Sequence, residues 1–419
     1  MHDDTLAFAG IDWASRFHAV CVIRNDGTVA QEFEIGHDAA GLEALVRQLR
    51  RSRVGRVAIE RPDGPVVESL LETGFEVVVV ASRMVKALRT RYSLVGNKSD
   101  RSDAYMLADV LRTDGHRLRS LEPDSEQTRA LRAAVRTRKE LVGHRVALVQ
   151  QLESHLERVF PGGTRVFADT ESAVALKFLR RFPTQLHADW LSEKRLAAWL
   201  SANAYCGRKD PAVLFEHLMS APAGLRGAEA ELLGAVTVSL VAAVEAIQAQ
   251  IGELETRITA SLAVHPLAPI FQSLPRSGTV RAAALLVEIG DSKARFPTPE
   301  SLAALAGVAP STRDSGQYGA VVHRFVSDKW LKNALCDFAQ DSRRANPWAA
   351  DIYRRARDSR KRHPHAVRIL ARAWCYVIWR CWQDETPYDP ALHRGAQRLL
   401  SAAQSSSPGA RRLRLVWAR

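Results

Sequence analysis

Four acidic residues near the start of the chain have the type and spacing that phosphodiester chemistry requires. Asp12 follows a first apolar run, Glu60 ends a later one, and Asp100 and Asp103 stand three residues apart. Cleavage of a nucleic-acid backbone commonly uses two divalent ions about 3.5–4 Å apart, held by carboxylates. Residues three apart share one helix face, so Asp100 and Asp103 could point at one ion. The set is therefore a candidate Mg²⁺ or Mn²⁺ site.

Each acidic residue also has a purely structural interpretation when it is taken singly. A lone Asp at a strand end is usually a turn or cap residue. Asp100 could be a helix N-cap, with Asp103 as its capping-box partner. Like charges this close repel unless a cation or a basic side chain lies between them. The order of the set along the chain (first strand, fourth strand, then a helix) favours the catalytic interpretation.

An α/β domain over residues 1–118 would position these carboxylates. Apolar runs predict strands at 6–11, 18–24, 29–35, 56–60 and 76–80, with a hairpin turn at Asn25-Asp26-Gly27. Helical spacing predicts helices at 39–50, after Pro65, and at 99–111. This order is that of an RNase H-like (RuvC-like) fold, in which the first and fourth strands are neighbours. Asp12 and Glu60 could therefore converge.

Two long helices dominate the predicted middle of the chain, residues 119–264. One covers 125–160 and the other 228–263, with a small helical insert at 164–226 between them. The second helix carries a heptad seam, in which six apolar residues alternate steps of four and three: Leu240, Val244, Ile247, Ile251, Leu254 and Ile258. The seam predicts a coiled-coil arm, within one chain or between chains. The alternative is a helix buried in its own domain.

A mostly helical C-terminal domain is predicted over residues 265–395. Residues 274–280 resemble a helix-hairpin-helix, in which Arg276 and the Gly278 turn could hold a phosphate. Basic and aromatic residues alternate over 341–380, a pattern that suits nucleic acid, although we expect Trp374 and Trp379 to be core residues. Residues 396–419 are Ser-rich and then basic, and predict a disordered tail.

Composition narrows the class of partner. The net charge is +13 and the pI is about 9.9. Most of the positive charge is carried by Arg, which binds phosphate through two parallel hydrogen bonds and favours a nucleic-acid partner.

None of the five cysteines forms a CxxC pair, which argues against structural zinc. The N-terminus is acidic and does not read as a signal peptide, and no membrane span is expected. We expect a cytoplasmic prokaryotic protein.

Six segments together resemble the DEDD transposases of insertion sequences, the IS110 family, which is related to the Piv/MooV DNA invertases. The resemblance extends from Phe8 to about Pro390. The N-terminal segments are GIDWA around Asp12, AIE ending at Glu60, and NKSDRSDA at 97–104. The C-terminal segments are SLPRSGTVRAAALLVEIGD at 273–291, RFPTPESLAALAGVAPSTRDSG at 295–316 and HRFVSDKWLKNAL at 323–335.

The resemblance implies a two-part active site. Metal would be held by Asp12, Glu60, Asp100 and Asp103, and Ser315 would attack DNA to form a phosphoserine link. By itself the segment around Ser315 reads as a polar turn, and Ser311 and Ser277 are nearby competitors. Candidate nucleic-acid contacts are Lys98, Arg101, Arg276, Gly278, Arg313, Gly316, Arg324 and Lys329. The resemblance also implies a structured guide RNA, the bridge RNA.

We therefore expect a transposase or site-specific recombinase that acts on double-stranded DNA at element ends and targets. Two duplexes must be held together, so a dimer or tetramer is expected, with the heptad helix as its natural contact. Two alternatives remain open. One is a structure-selective nuclease for Holliday junctions that uses metal-activated water and does not need Ser315. The other is a nucleic-acid-binding protein without enzymatic activity, which would tolerate loss of Asp12.

Overall fold

The computed structural model describes residues 7–81, 84–87, 89, 99–315, 318–322, 327–395 and 397, with the backbone alone for 311–315 and 318–322. Lys98, Gly316 and Arg324, which are predicted nucleic-acid contacts, lie outside these residues, as does the predicted tail from residue 398 onward. The chain divides into two compact units, Met1–Pro123 and Asp124–Arg419. An α/β unit is thus followed by a mostly helical one, as the sequence predicts.

The first unit is a mixed five-stranded sheet. Its strands are β1 (Ala7–Asp12), β2 (Phe17–Ile23), β3 (Val29–Gly36), β4 (Val54–Ile59) and β5 (Glu76–Val79), in the spatial order β3-β2-β1-β4-β5. β1 pairs antiparallel with β2 and parallel with β4, and β4 pairs parallel with β5. The predicted neighbourhood of the first and fourth strands is confirmed, and the predicted hairpin turn contains Gly27 at φ +88°.

Among the described residues of this unit, the α-helices with defined bounds are α1 (Ala39–Arg51), α2 (Pro65–Glu72) and α3 (Asp100–Asp114). α3 crosses β1 at very close range, because Gly10 has no side chain. A Cβ on Gly10 would lie 2.1 Å from the Ala104 carbonyl oxygen and 2.5 Å from the Ala108 amide nitrogen. The first unit therefore brings the helix that carries Asp100 and Asp103 against the strand that ends in Asp12.

The second unit is built on two long helices, α4 (Glu126–Val159) and α10 (Ala228–Ala263). They run antiparallel, because His155 contacts Thr237 at 2.9 Å near one end and Arg138 contacts Glu255 at 2.9 Å farther along. The heptad residues Val244, Ile251 and Ile258 are buried within the chain. Of the open alternatives for the seam, the structure therefore shows helix pairing inside one chain.

The long helices join two hydrophobic clusters. Near one end, Leu152 and Val244 pack with the helical insert, formed by α5 (Pro161–Arg165), α6 (Ala173–Arg181), α7 (Gln185–Ala188), α8 (Glu193–Ala202) and α9 (Pro211–Met219). Near the other end, Leu131 and Ile258 pack with the C-terminal helices α11 (Ala268–Gln272), α12 (Thr279–Ile289), α13 (Pro299–Leu305), α14 (Lys329–Ser342), α15 (Pro347–Asp358) and α16 (His363–Gln383). The long pair therefore belongs to the same compact unit as the C-terminal helices.

Helix α10 is also long and apolar enough to cross a membrane by length and composition alone, with a mean hydropathy of 1.8 over its most apolar window. Sequence patterns did not single out this helix as a possible membrane span. One helix that meets this test is weak support for a span, because the core helix of a soluble protein meets it as well. Val241, Val244 and Ile251 of this helix are buried within the chain, although only 28% of its most apolar window is buried.

Two aromatic residues of the predicted basic and aromatic stretch are core residues. Trp374 is fully buried and donates to the Ser342 hydroxyl at 2.9 Å. Trp379 packs against the same hydrophobic cluster and donates to the Phe296 carbonyl at 2.8 Å. The prediction that these rings serve packing is confirmed, so they are not available to stack on nucleic-acid bases.

Candidate active site

Three of the four predicted acidic residues act electrostatically on one basic side chain, Arg89, and one of them, Asp103, contacts it. Nε of Arg89 donates to Oδ1 of Asp103 at 2.9 Å, and a second bond joins its Nη2 to Oδ2, which makes the pair bidentate. The pKa of Arg89 is raised, first by this hydrogen bond and then by the charges of Asp103, Glu60 and Asp12. The carboxylates of Asp12, Glu60 and Asp103 therefore act on one guanidinium.

Local structure explains how these side chains meet. Asp12 is the last residue of β1, and Glu60 directly follows β4. Because β1 and β4 are parallel and Ile11 is paired with Ile59, both carboxylates leave the sheet at the same edge. Helix α3, which carries Asp103, packs closely against β1 at Gly10. Asp103 is only 2% exposed, and a carboxylate this buried is retained only when it is paired with a cation.

Asp100 and Asp103 are not explained by helix capping. The N-cap of α3 is Ser99, whose hydroxyl accepts from the Ser102 amide at 3.1 Å. Asp100 is the first helical residue and is exposed, and Asp103 lies three residues further along. The interpretation of Asp100 as N-cap with Asp103 as its partner is therefore wrong. Both carboxylates lie in the first turn, where the partial positive charge of the helix end favours them.

The oxygen-only donor set suits a hard cation such as Mg²⁺ or Mn²⁺. Within the described part of the chain, however, no three His, Cys, Asp or Glu side chains are grouped closely enough to hold a metal ion. Arg89 supplies the cation that pairs with Asp103. The residues therefore fit a metal in donor chemistry, and Asp103 would have to release Arg89 in order to bind one.

Sequence reasoning missed Arg89. The residue falls between the two acidic segments, among several other basic residues, and no spacing distinguishes it. Its only signal is indirect, because a set of carboxylates this close needs a basic partner.

Ser315 ends a strand in the second unit. Strand β6 (Ser311–Ser315) pairs antiparallel with β7 (Tyr318–Val322), and Ser315 is the register partner of Tyr318. The sequence interpretation of this segment as a polar turn is wrong, because it forms a two-stranded hairpin within a domain predicted to be mostly helical. Arg313 lies on the same strand, opposite Ala320. The hairpin places Ser315 next to its two-residue connection.

Ser277, one competitor for the nucleophile, is 8% exposed, and its hydroxyl oxygen is buried with no hydrogen-bond partner among the residues that the structure describes. A hydroxyl this buried cannot reach a DNA backbone without local opening, which argues against Ser277. Ser311, the other competitor, lies on the same strand as Ser315 at its opposite end.

The predicted phosphate contacts differ in their surroundings. Gly278 is the N-cap of α12, with no side-chain cap, and a Cβ there would meet nothing within 4 Å. Arg276 adopts φ +57° and is ion-paired with Asp341 at 3.1 Å. Arg101 and Lys329 are exposed in the first turns of α3 and α14. Gly278 therefore has open space beside it at a helix start, whereas Arg276 already has an acidic partner.

Comparison with known proteins identifies two matched regions. Residues 9–161 match a family described as "Transposase", and residues 268–354 match the family described as "Transposase IS116/IS110/IS902 family". The first region contains Asp12, Glu60, Asp100 and Asp103, and the second contains Ser315.

Several curated proteins are similar over most of their length. The IS110 insertion-element protein of Streptomyces coelicolor is 30% identical over 72% of this chain and 74% of its own. A protein of the same organism with the name "Mini-circle putative transposase for IS117" is 29% identical over 96% of this chain and 100% of its own. The IS900 insertion-element protein of Mycobacterium paratuberculosis is 28% identical over 93% of this chain and 98% of its own. On these matches, this chain belongs to the IS110 family of transposases.

Proposed function

We propose that this transposase cuts and rejoins DNA strands through a covalent link to Ser315, with a metal-dependent acidic site in the first unit. The observation that carries the proposal is that the charges of Asp12, Glu60 and Asp103 all act on Arg89, which is paired with Asp103. Asp12 and Glu60 add negative charge at the ends of neighbouring strands, beside a carboxylate that already has its own basic partner. A divalent cation would stabilise this concentration of negative charge.

In this proposal, Asp12, Glu60, Asp100 and Asp103 hold Mg²⁺ or Mn²⁺. When bound, the metal supplies Lewis-acid polarisation of the scissile phosphate. The exposed position of Asp100 and the strand-end position of Asp12 leave their carboxylates at the rim of the site. Arg89 pairs with Asp103 and so neutralises a buried carboxylate.

Each step of the proposed strand transfer forms one bond to phosphorus and breaks another. The Ser315 hydroxyl loses its proton and attacks phosphorus, and the bond from phosphorus to the 3′ oxygen breaks. The leaving 3′ oxygen takes up a proton. A 3′-hydroxyl of a partner strand then attacks the same phosphorus, and the Ser315 oxygen leaves with a proton. One phosphodiester-type bond is exchanged for another at each stage, so no ATP is required. The exchange of one strand per duplex predicts a Holliday-junction intermediate.

Two partners belong to the same proposal. The net charge of +13 supports binding of double-stranded DNA at element ends and targets, and of a structured guide RNA. Holding two duplexes together calls for a dimer or tetramer. Because Val244, Ile251 and Ile258 of the heptad seam are buried within the chain, we expect a contact between copies to use other surfaces.

A covalent-adduct assay tests the proposal. The protein is expressed with its native flanking DNA, which would encode a guide, and incubated with labelled element-junction DNA and Mg²⁺. A protein–DNA adduct is expected on denaturing gels. Ser315→Ala should abolish it, because no other hydroxyl replaces the nucleophile, whereas the matched Ser311→Ala on the same strand should retain it. Asp12→Ala should abolish cleavage and leave DNA binding intact, since metal positioning and phosphate contacts are separate.

Two results would contradict the proposal. Cleavage without an adduct, unaffected by Ser315→Ala, would identify a nuclease that uses water as nucleophile. Full cleavage activity of Asp12→Ala would remove the acidic site from the mechanism.

A further inference from the structure

The turn between α15 and α16 concentrates positive charge on the surface of the second unit. Residues 357–362, named here the basic elbow, have the sequence RDSRKR and contain a single acidic residue, Asp358. The four basic side chains of the elbow are all exposed, and they are Arg357, Arg360, Lys361 and Arg362. The proposed chemistry uses none of them.

The charge of the elbow is not neutralised by nearby acidic side chains. Asp351, one turn earlier on α15, forms ion pairs with Arg354 and Arg355, the latter at 2.9 Å. Among the residues that the structure describes, no carboxylate forms an ion pair with the four basic side chains of the elbow. Their charge is therefore available to an anion that is not part of this chain.

The same charge acts on the first turn of α16. His365 lies in this turn and is exposed. Burial, and then the charges of Arg368 and Lys361, lower the pKa of His365. The positive potential of the elbow therefore extends onto the start of the helix that follows it.

Hydrogen bonds hold the elbow together as one turn. The Lys361 amide donates to the Ala356 carbonyl at 3.1 Å, and the Arg360 amide donates to the Arg357 carbonyl at 2.9 Å. This pair of bonds is the Schellman motif that ends many helices. Nη1 of Arg357 also donates to the Lys361 carbonyl at 2.9 Å. The basic side chains therefore project from a single compact turn.

Contacts with neighbouring helices fix the position of the elbow. The hydroxyl oxygen of Tyr353 on α15 lies 2.8 Å from Nδ1 of His363, the first residue of α16. Nε2 of His363 lies 3.3 Å from Oε1 of Gln340 on α14. The guanidinium carbon of Arg343 lies 4.5 Å from the centroid of the Tyr353 ring. Tyr353 thus supports the turn, and one face of its ring is already covered.

Two positions of the elbow carry Arg where the backbone favours another residue type. Arg360 has φ +59°, the left-handed conformation that favours Gly after a helix end. Arg362 is the N-cap of α16, has no side-chain cap hydrogen bond, and precedes a first turn without acidic residues. Ser or Asp is preferred there, and the partial positive charge of a helix start disfavours a cation. Residues that break such local rules are typical of functional surfaces.

We propose that the basic elbow binds the phosphate backbone of duplex DNA without reading its sequence. The inference rests on the proposed function, because it takes double-stranded DNA as the substrate. Arg and Lys bind phosphate oxygens, which are the same at every base pair. Residues 357–362 include no aromatic side chain on which an unpaired base could stack, which favours a duplex over single strands and RNA loops. The elbow holds the substrate and takes no part in bond exchange.

The test measures binding without catalysis. Full-length protein is titrated in EDTA, at several salt concentrations, against a labelled element-end duplex and an unrelated duplex of equal length. The double variant Arg360→Gly with Arg362→Ser should weaken binding of both duplexes by about tenfold or more at about 0.1 M salt. The slope of log K against log salt should fall by about 1.8, because each lost phosphate contact removes about 0.9.

Thermal unfolding separates this loss from damage to the fold. Gly at position 360 suits the left-handed backbone, and Ser at position 362 can cap α16. The double variant should therefore keep or raise the melting temperature while it loses DNA affinity. A variant that binds less DNA because it is less folded would show the opposite change in melting temperature.

The opposite end of α16 provides a matched control. Arg380, in the last turn, is exposed and forms an ion pair with Asp384 at 2.6 Å. It lies about 27 Å from Arg362 at the rise of an α-helix. Arg380→Ser removes the same charge as the single variant Arg362→Ser. Arg362→Ser should weaken binding, whereas Arg380→Ser should leave the affinity and the salt slope unchanged.

Three results would overturn the inference. Equal losses for Arg362→Ser and Arg380→Ser would show an effect of net charge alone, and an unchanged affinity of the double variant would remove the elbow from the DNA contact. A loss confined to the element-end duplex would contradict a contact with the backbone alone. Unchanged duplex binding with weaker binding of RNA transcribed from the flanking DNA would assign the elbow to RNA instead.

The outcome is separable from that of the adduct assay. Binding in EDTA requires neither metal nor Ser315, so Ser315→Ala should bind both duplexes like the parent protein. Elbow-dependent binding without a Ser315 adduct would contradict the proposed chemistry and support the elbow contact. An adduct together with binding that does not depend on the elbow would do the reverse.

Discussion

Gly10 shows how a single residue controls the geometry of the candidate site. The backbone of α3 passes so close to β1 that a Cβ at this position would meet the Ala104 carbonyl and the Ala108 amide. Both obstacles are backbone atoms, so neither can rotate away. Gly10→Ala should therefore displace α3 and lower the free energy of unfolding by about 1–3 kcal/mol, the usual cost of overpacking. Denaturant unfolding measures this loss.

A glycine in open surroundings is the control for that prediction. A Cβ on Gly252, within helix α10, would meet nothing within 4 Å. Gly252→Ala should stabilise the protein by about 0.5–1 kcal/mol, because alanine loses less backbone entropy in a helix. If Gly10→Ala were as well tolerated as Gly252→Ala, the close crossing of helix and strand would not exist.

At the level of the helices, the α4–α10 pair buries apolar residues of the heptad seam within one chain. Ile251 is 6% exposed, whereas Gln250 on the same helix is exposed. Ile251→Asp should destabilise the protein by about 2–5 kcal/mol, because it removes a buried side chain and introduces an unpaired charge. Gln250→Asp should be nearly neutral. Thermal unfolding compares the two variants, and light scattering measures their mass. A stable Ile251→Asp protein of reduced mass would show that the seam joins copies.

Across the whole molecule, the long helices and the C-terminal helices form one unit. Leu131 of α4 and Ile258 and Leu262 of α10 share a buried cluster with residues of α12 and α16. A chain truncated after Val264 would expose these apolar side chains to water. We therefore expect the fragment 1–264 to be inactive and to aggregate or lose helicity at these helix ends. A monomeric fragment with full helical circular dichroism would contradict this expectation.

Much of the architecture follows from local pattern. The predicted strands and helices of the first unit agree with the structure to within a few residues, because alternation and helical spacing are properties of short segments. The two long helices, predicted at 125–160 and 228–263, are observed as Glu126–Val159 and Ala228–Ala263. The acidic residues at the ends of β1 and β4 were recognisable for the same reason, since strand order places them at one edge.

Contacts between distant segments were beyond such reasoning. The sequence did not assign the N-cap to Ser99 rather than Asp100, pair Arg89 with Asp103, or place Ser315 in a hairpin. It also left open whether the heptad seam joined one chain or two, because a seam specifies an apolar surface and not the partner that covers it. The sequence alone thus determined the order of the acidic residues along the chain. Which cation pairs with Asp103 depended on the packing of α3 against the strand ends, where residues far apart in the chain meet.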